Sequence, residues 1–188
     1  MNNDNIVNLI LIVALIIYFT GYFELRYFFI LPTIKVYPDN DKEILIVNDF
    51  VSENNKYYLE LFKQTDETVV SAFEKVVDLS REKMNKYVLS HHLMFTTLLI
   101  KTIINRVRPK QVNTNLNIQE SFTANTPAYP SGHCIQAYYL AKKLVEIYPE
   151  KNEMLFKLAE DCAMARVYAG LHYPSDNEFG KYIALNIL

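Results

Sequence analysis

The chain has 188 residues, room for one compact domain with an appendage but not for two full domains. Hydrophobic residues make up 51% and the formal net charge is −2, which argues against the broad cationic face of a nucleic-acid binder. Two cysteines, Cys134 and Cys162, give neither a disulfide framework nor a CxxC-type metal pattern, and both are expected as reduced, buried thiols.

Asn5 to Phe23 contains no charged residue, and Ile6 to Phe19 is almost continuously apolar. That length suits one membrane-spanning helix of ~20 residues, with a buried core helix as the alternative. No basic residue precedes it and no A-x-A-like cleavage site follows, so a retained anchor is expected rather than a cleaved leader. Arg26 and Lys35 follow the span and Asp4 precedes it, which by the positive-inside rule points the remainder toward the cytoplasmic side; two charges leave the side of the membrane open. Tyr27 to Leu31 suits the bilayer interface or the domain surface equally. The expected organisation is an anchor and interfacial segment over residues 1–36 and a helical domain over 37–188.

Tyr37 to Asp41 reads as a polar break, and Ile44 to Val47 as a short strand or extended arm. From Ser52 the pattern is helical. Ser52 or Asn54 is a candidate cap for a helix carrying Tyr58, Leu61 and Phe62. Thr65 is a candidate cap for the next, with Val69, Val70, Phe73, Val76 and Val77 on one face. Ser80 opens a long helix running toward Val107, its apolar face built from Met84, Val88, Phe95, Leu98 and Leu99. Tyr87 to Ile100 lacks Lys, Arg, Asp and Glu but is short for a span, so a core helix is expected there. Lys110 to Thr126 is a polar, Asn-rich connection of a length that usually signals a functional loop. Helices follow from Ser131, from about Asn152 to Gly170, and from Ser175, whose spacing to Glu178 matches a capping box. The fold class is all-α, a compact helical bundle behind an N-terminal apolar helix.

Three clusters carry candidate chemistry. Lys101, Asn105 and Arg108 share a face if the helix continues to Pro109. Pro130-Ser131-Gly132-His133 breaks the chain and starts a helix, where unpaired N–H groups and the positive dipole end attract an anion. Arg166, Gly170, His172 and Asp176 surround a short inter-helix connection. Each alone has an ordinary reading: a solvated basic helix end, a turn with a serine cap, a surface arginine with a loop histidine. His91 and His92 are adjacent, cannot share a helix face, and read as structural.

In order, Lys101-x6-Arg108-Pro109, Pro130-Ser131-Gly132-His133 and Arg166-x5-His172-x3-Asp176 resemble the three-part motif of the type 2 phosphatidic acid phosphatases (PAP2). That superfamily includes class A acid phosphatases and vanadium haloperoxidases. One departure is visible: Ala165 precedes Arg166 where the motif usually has serine. The resemblance implies that Lys101, Arg108 and Arg166, with backbone N–H groups of Ser131 and Gly132, hold the phosphoryl oxygens. It implies His172 as nucleophile through a phosphohistidine, Asp176 fixing its other nitrogen, and a protonated His133 as acid and then base. No metal and no cofactor are expected; vanadate is expected to inhibit. The implied substrate is a phosphate monoester, lipid or soluble, met at a membrane through the N-terminal helix, with no nucleic-acid partner. A vanadium haloperoxidase-like enzyme and a membrane-tethered phosphate or headgroup binder that has lost turnover are the alternatives. The oligomeric state has no signature in the sequence.

Overall fold

The computed structural model describes residues 34–188, so the expected N-terminal helix lies outside the described residues. All regular structure among the described residues is helical. In chain order these are α1 (Asn40–Glu53), α2 (Lys56–Thr65), α3 (Val70–Phe73), α4 (Arg81–Val88), α5 (His91–Ile104), α6 (Pro109–Val112), α7 (Gly132–Val145), a 3-10 turn (Pro149–Lys151), α8 (Asn152–Tyr168) and α9 (Pro174–Asn186).

Helix α7 is the centre of the bundle. It packs against α8, α9 and α4, and α2 covers the far side of α8. Ile135, Leu140 and Leu144 of α7 are fully buried, together with Phe73, Met84, Leu93 and Leu155 from the surrounding helices. Each such side chain contributes about 1.5–3 kcal/mol through burial. A smaller cluster, Ile44, Val47, Leu116, Ala128, Val167 and Tyr173, fastens α1 to the segments that carry the site. Glycine sets one close contact: a Cβ at Gly180 would lie 3.1 Å from the Ser131 carbonyl and 3.2 Å from Cys134 Sγ, so α9 can approach the start of α7 only with glycine there.

Local chemistry moved several boundaries. Ile44 to Val47 is helical, not extended, because Asp39 accepts the Asp41 N–H and starts α1 at Asn40, four residues earlier. Asn54, in the left-handed region at φ 51°, ends α1, and Asn55 caps α2. Thr65 ends α2 instead of starting the next helix; its hydroxyl donates back to the Leu61 carbonyl. Ser80 does cap α4, but the expected long helix breaks at Leu89 and Ser90 and resumes as α5. Helix α5 then stops at Asn105, again left-handed at φ 52°, so Arg108 is extended and leads Pro109 into α6. At α9 the cap is Tyr173 with Asp176, not Ser175 with Glu178: the Asp176 carboxylate accepts the Tyr173 N–H at 3.0 Å. Cys134 and Cys162 are free and buried.

Candidate active site

Four segments converge at the start of α7. Ser131 caps that helix, its Oγ accepting the Cys134 N–H at 3.4 Å. The Ser131 N–H donates to the Asp176 carbonyl at 3.0 Å, so of the expected backbone cradle only Gly132 remains, joined by His133. These are the first two helical residues, whose N–H groups have no acceptor within the helix. Lys101 passes beside them: its Cε lies 3.7 Å from where a Gly132 Cβ would be. Its Nζ donates to the carbonyls of Pro127 at 2.6 Å and Ala128 at 3.4 Å, which holds the entry into the Pro130 turn.

His172 lies between Asp176 and Arg108. Its Nδ1 is 3.0 Å from Asp176 Oδ2, and its Nε2 is 3.0 Å from Arg108 Nη1. A guanidinium can only donate, so Nε2 is the accepting nitrogen and Nδ1 carries the proton to the carboxylate. Arg108 also donates to the carbonyls of Leu171 and Thr126, at 2.8 and 2.9 Å. Burial, with the charges of Arg108, Lys101 and Arg166 adding to it, holds the His172 imidazole well below its usual pKa, so the ring is neutral.

Arg166 projects from the last turns of α8. It donates to Asp66 Oδ1 at 2.7 Å, and its Nη2 is 3.3 Å from the hydroxyls of Ser121 and Thr123. Its Nε is buried without a hydrogen-bond partner among the described residues. Ala165 is fully buried and brings no hydroxyl. His133 departs from expectation. Its Nε2 is 2.9 Å from the Asp66 carbonyl and therefore donates, and burial with the Arg166 charge lowers its pKa to about 3. His133 is therefore neutral, not protonated as expected.

Two groups at this site have no counterpart in the three motifs. Asp66, in the connection after α2, binds both Arg166 and, through its carbonyl, His133. Arg106 binds Asp176 Oδ1 at 2.7 Å. Asp66 lies 35 residues before Lys101 and has no local signal except its place in a polar turn. Arg106 was legible as a second arginine inside the Lys101–Arg108 stretch. Among the described residues, no group of three or more His, Cys, Asp or Glu side chains forms a metal-binding cluster.

A family model described as the PAP2 superfamily matches residues 86–188, more than half of the chain. The chain belongs to the PAP2 superfamily. All three motifs of this PAP2 protein fall within the matched residues, while Asp66 lies before them. No curated protein matches the chain. PAP2 members are mostly phosphatases, which places the chain in a phosphatase and haloperoxidase class without fixing its reaction.

Proposed function

We propose that this PAP2 protein is a metal-independent phosphomonoester hydrolase acting through a phosphohistidine intermediate. The observation that carries the reading is the state of His172, neutral, with Nδ1–H on Asp176 and the Nε2 lone pair turned toward buried cations. An incoming phosphoryl group takes Arg108 from Nε2 and receives Lys101, Arg166 Nε and the Gly132 N–H on its oxygens. Nε2 then attacks phosphorus, a P–N bond forms, and the P–O ester bond breaks. His133, which takes up a solvent proton on Nδ1 when the phosphoryl anion binds, donates that proton to the departing alkoxide. Because Nε2 of His133 is tied to Asp66, Nδ1 is the nitrogen left to do this. In the second half His133 takes a proton from water, hydroxide attacks phosphorus, and the P–N bond breaks to release phosphate.

A release assay across a panel of phosphate esters without divalent metal tests this reading. Turnover should survive EDTA, vanadate should compete with substrate, and His172→Ala should abolish both turnover and trapped phosphoenzyme. Persistent hydrolysis by His172→Ala would remove the nucleophile assignment. One observation favours a binder without turnover: Ala165 supplies no hydroxyl beside Arg166. Phosphate protection against unfolding with no hydrolysis of any ester would support that reading. Halide-dependent peroxidation with added vanadate would instead mark haloperoxidase chemistry.

Membrane association belongs to the same proposal. Among the described residues no single helix is long and apolar enough to cross a membrane, though α4 and the stretch from His91 to Val112, bent by 41°, reach that length together. Met94, Phe95, Leu98, Leu99 and Ile103 leave the outer side of α5 apolar and exposed. The Ile34 N–H donates to the Ile104 carbonyl at 3.2 Å, so the chain arrives from its apolar N-terminal stretch at the end of that same helix. We infer that the outer side of α5 rests on the bilayer, which favours lipid phosphate esters as substrates. Comparable rates on micellar phosphatidic acid and a soluble aryl phosphate would remove that preference.

A further inference from the structure

Arg106 lies two residues before Arg108, yet it faces away from any phosphoryl contact described above. Its side chain is completely buried. Nη1 donates to Asp176 Oδ1 at 2.7 Å and to Ser175 Oγ at 2.8 Å. Nη2 donates to Glu43 Oε2 at 2.6 Å, and Nε to Asn40 Oδ1 at 2.9 Å. The rings of Tyr173 and Tyr37 lie 3.8 and 4.2 Å from its Cζ. Glu43 is itself held, accepting the Ser175 N–H at 3.0 Å and the Ser175 hydroxyl at 2.5 Å. The fork of the guanidinium thus joins α1 to the first turn of α9.

Both oxygens of Asp176 are consequently assigned. Oδ2 takes His172 Nδ1 and the Tyr173 N–H, and Oδ1 takes Arg106. We propose that Arg106, braced by Glu43, is a positioning residue that holds the Asp176 carboxylate in the orientation His172 needs to keep its Nδ1–H tautomer. The chain His172–Asp176–Arg106–Glu43 extends the pair of groups at the nucleophile into α1, before the family-matched residues. Its consequence for rate rests on the phosphatase reading; its consequence for the imidazole does not.

The charge of Arg106 matters as well as its geometry. Asp176 is faced by Arg106, Lys101 and His172, by the phenols of Tyr37, Tyr129 and Tyr173, and by Glu43 behind Arg106. Burial raises the Asp176 pKa, and the Arg106 charge is the largest influence opposing it. Without Arg106 the carboxyl protonates at higher pH and can no longer accept the His172 proton. Activity would then fail earlier as the pH drops.

Two readouts on the full chain test the proposal: the acid limb of kcat on an aryl phosphate, and the histidine ring nitrogens by 15N NMR. The variant Glu43→Gln with Arg106→Met leaves no stranded charge at position 43, so that the loss of the Arg106 charge is felt at Asp176 alone. In it kcat should fall on the order of 10²-fold with KM little changed. The acid limb should rise by about one pH unit or more, and an Nε2-protonated His172 should appear. A folded pair variant with the native tautomer and an unmoved acid limb would overturn the proposal. Arg106→Lys keeps the charge but cannot hold Asp176, Ser175 and Glu43 at once. It should lose rate without moving the acid limb, and a lysine variant at native kcat would also overturn the proposal. If the native chain hydrolyses no phosphate ester, the phosphatase reading falls, and the tautomer alone decides the role of Arg106.

Discussion

His172 can offer a substrate only one nitrogen, because Asp176 holds the other at 3.0 Å. His133 is constrained in the opposite sense: its Nε2–H is committed to the Asp66 carbonyl, and its pKa of about 3 leaves the free site without an acid. On the proposed phosphatase reading, His133 becomes an acid only once a phosphate ester is bound. A phosphoryl dianion beside the ring offsets the Arg166 charge and raises the His133 pKa, so anion binding is coupled to proton uptake. Inhibition by inorganic phosphate should consequently tighten as the pH falls from 8 to about 6. Calorimetry in buffers of different ionisation enthalpy should show protons taken up on binding, and His133→Ala should lose most of that uptake. A pH-independent inhibition constant in the native chain would count against the assignment.

Among the elements, the start of α7 depends most on its neighbours. Gly180 lets α9 press against Ser131 and Cys134, and the Ser131 N–H is spent on the Asp176 carbonyl. Gly180→Ala requires the Ser131 carbonyl and the Cys134 side chain to give way by a few tenths of an ångström. It should cost about 1–3 kcal/mol in denaturant unfolding and lower kcat in the fraction that remains folded. The capping serine, the Gly132 turn and the α8 and α9 spans were legible because each depends on residues adjacent in sequence. The break at Leu89 and Ser90 was not, because it lies inside the uncharged stretch Tyr87 to Ile100, and neither was the stop at Asn105, which no glycine or proline marks before Pro109. That misreading put Lys101 and Arg108 on one helical face. They meet at the site instead because Asn105 turns the chain in the left-handed region and Arg108 returns along an extended path. Asp66 and Glu43 escaped sequence reading because their partners lie 100 and 63 residues away.

Over the whole molecule, burial of the two imidazoles links folding to pH. Both titrate lower in the folded chain than the ordinary 6.5, so the unfolded chain gains protons first on acidification. Their contribution to stability is complete above 6.5 and is lost as the pH falls toward about 3. Asp66, whose pKa is lowered because its bonds to Ser121 and Arg166 outweigh burial, adds a loss of the same sign below the ordinary carboxylate range. Asp176, raised by burial, partly opposes it there. Thermal unfolding midpoints should drop between pH 6.5 and 4, and the upward shift given by phosphate should be larger at about pH 6 than at pH 8, in step with its tighter inhibition. A second consequence follows from Glu43 and Asp66. They neutralise Arg106 and Arg166 from sequence positions that precede residue 86, where the superfamily match begins. A polypeptide cut to start at 86 would retain every motif residue, yet Arg166 would lose its Asp66 counter-ion and Arg106 would be left with Asp176 alone of its two carboxylates. Such a fragment should stay unfolded by circular dichroism, and supplying residues 34–85 as a separate peptide should restore helical signal.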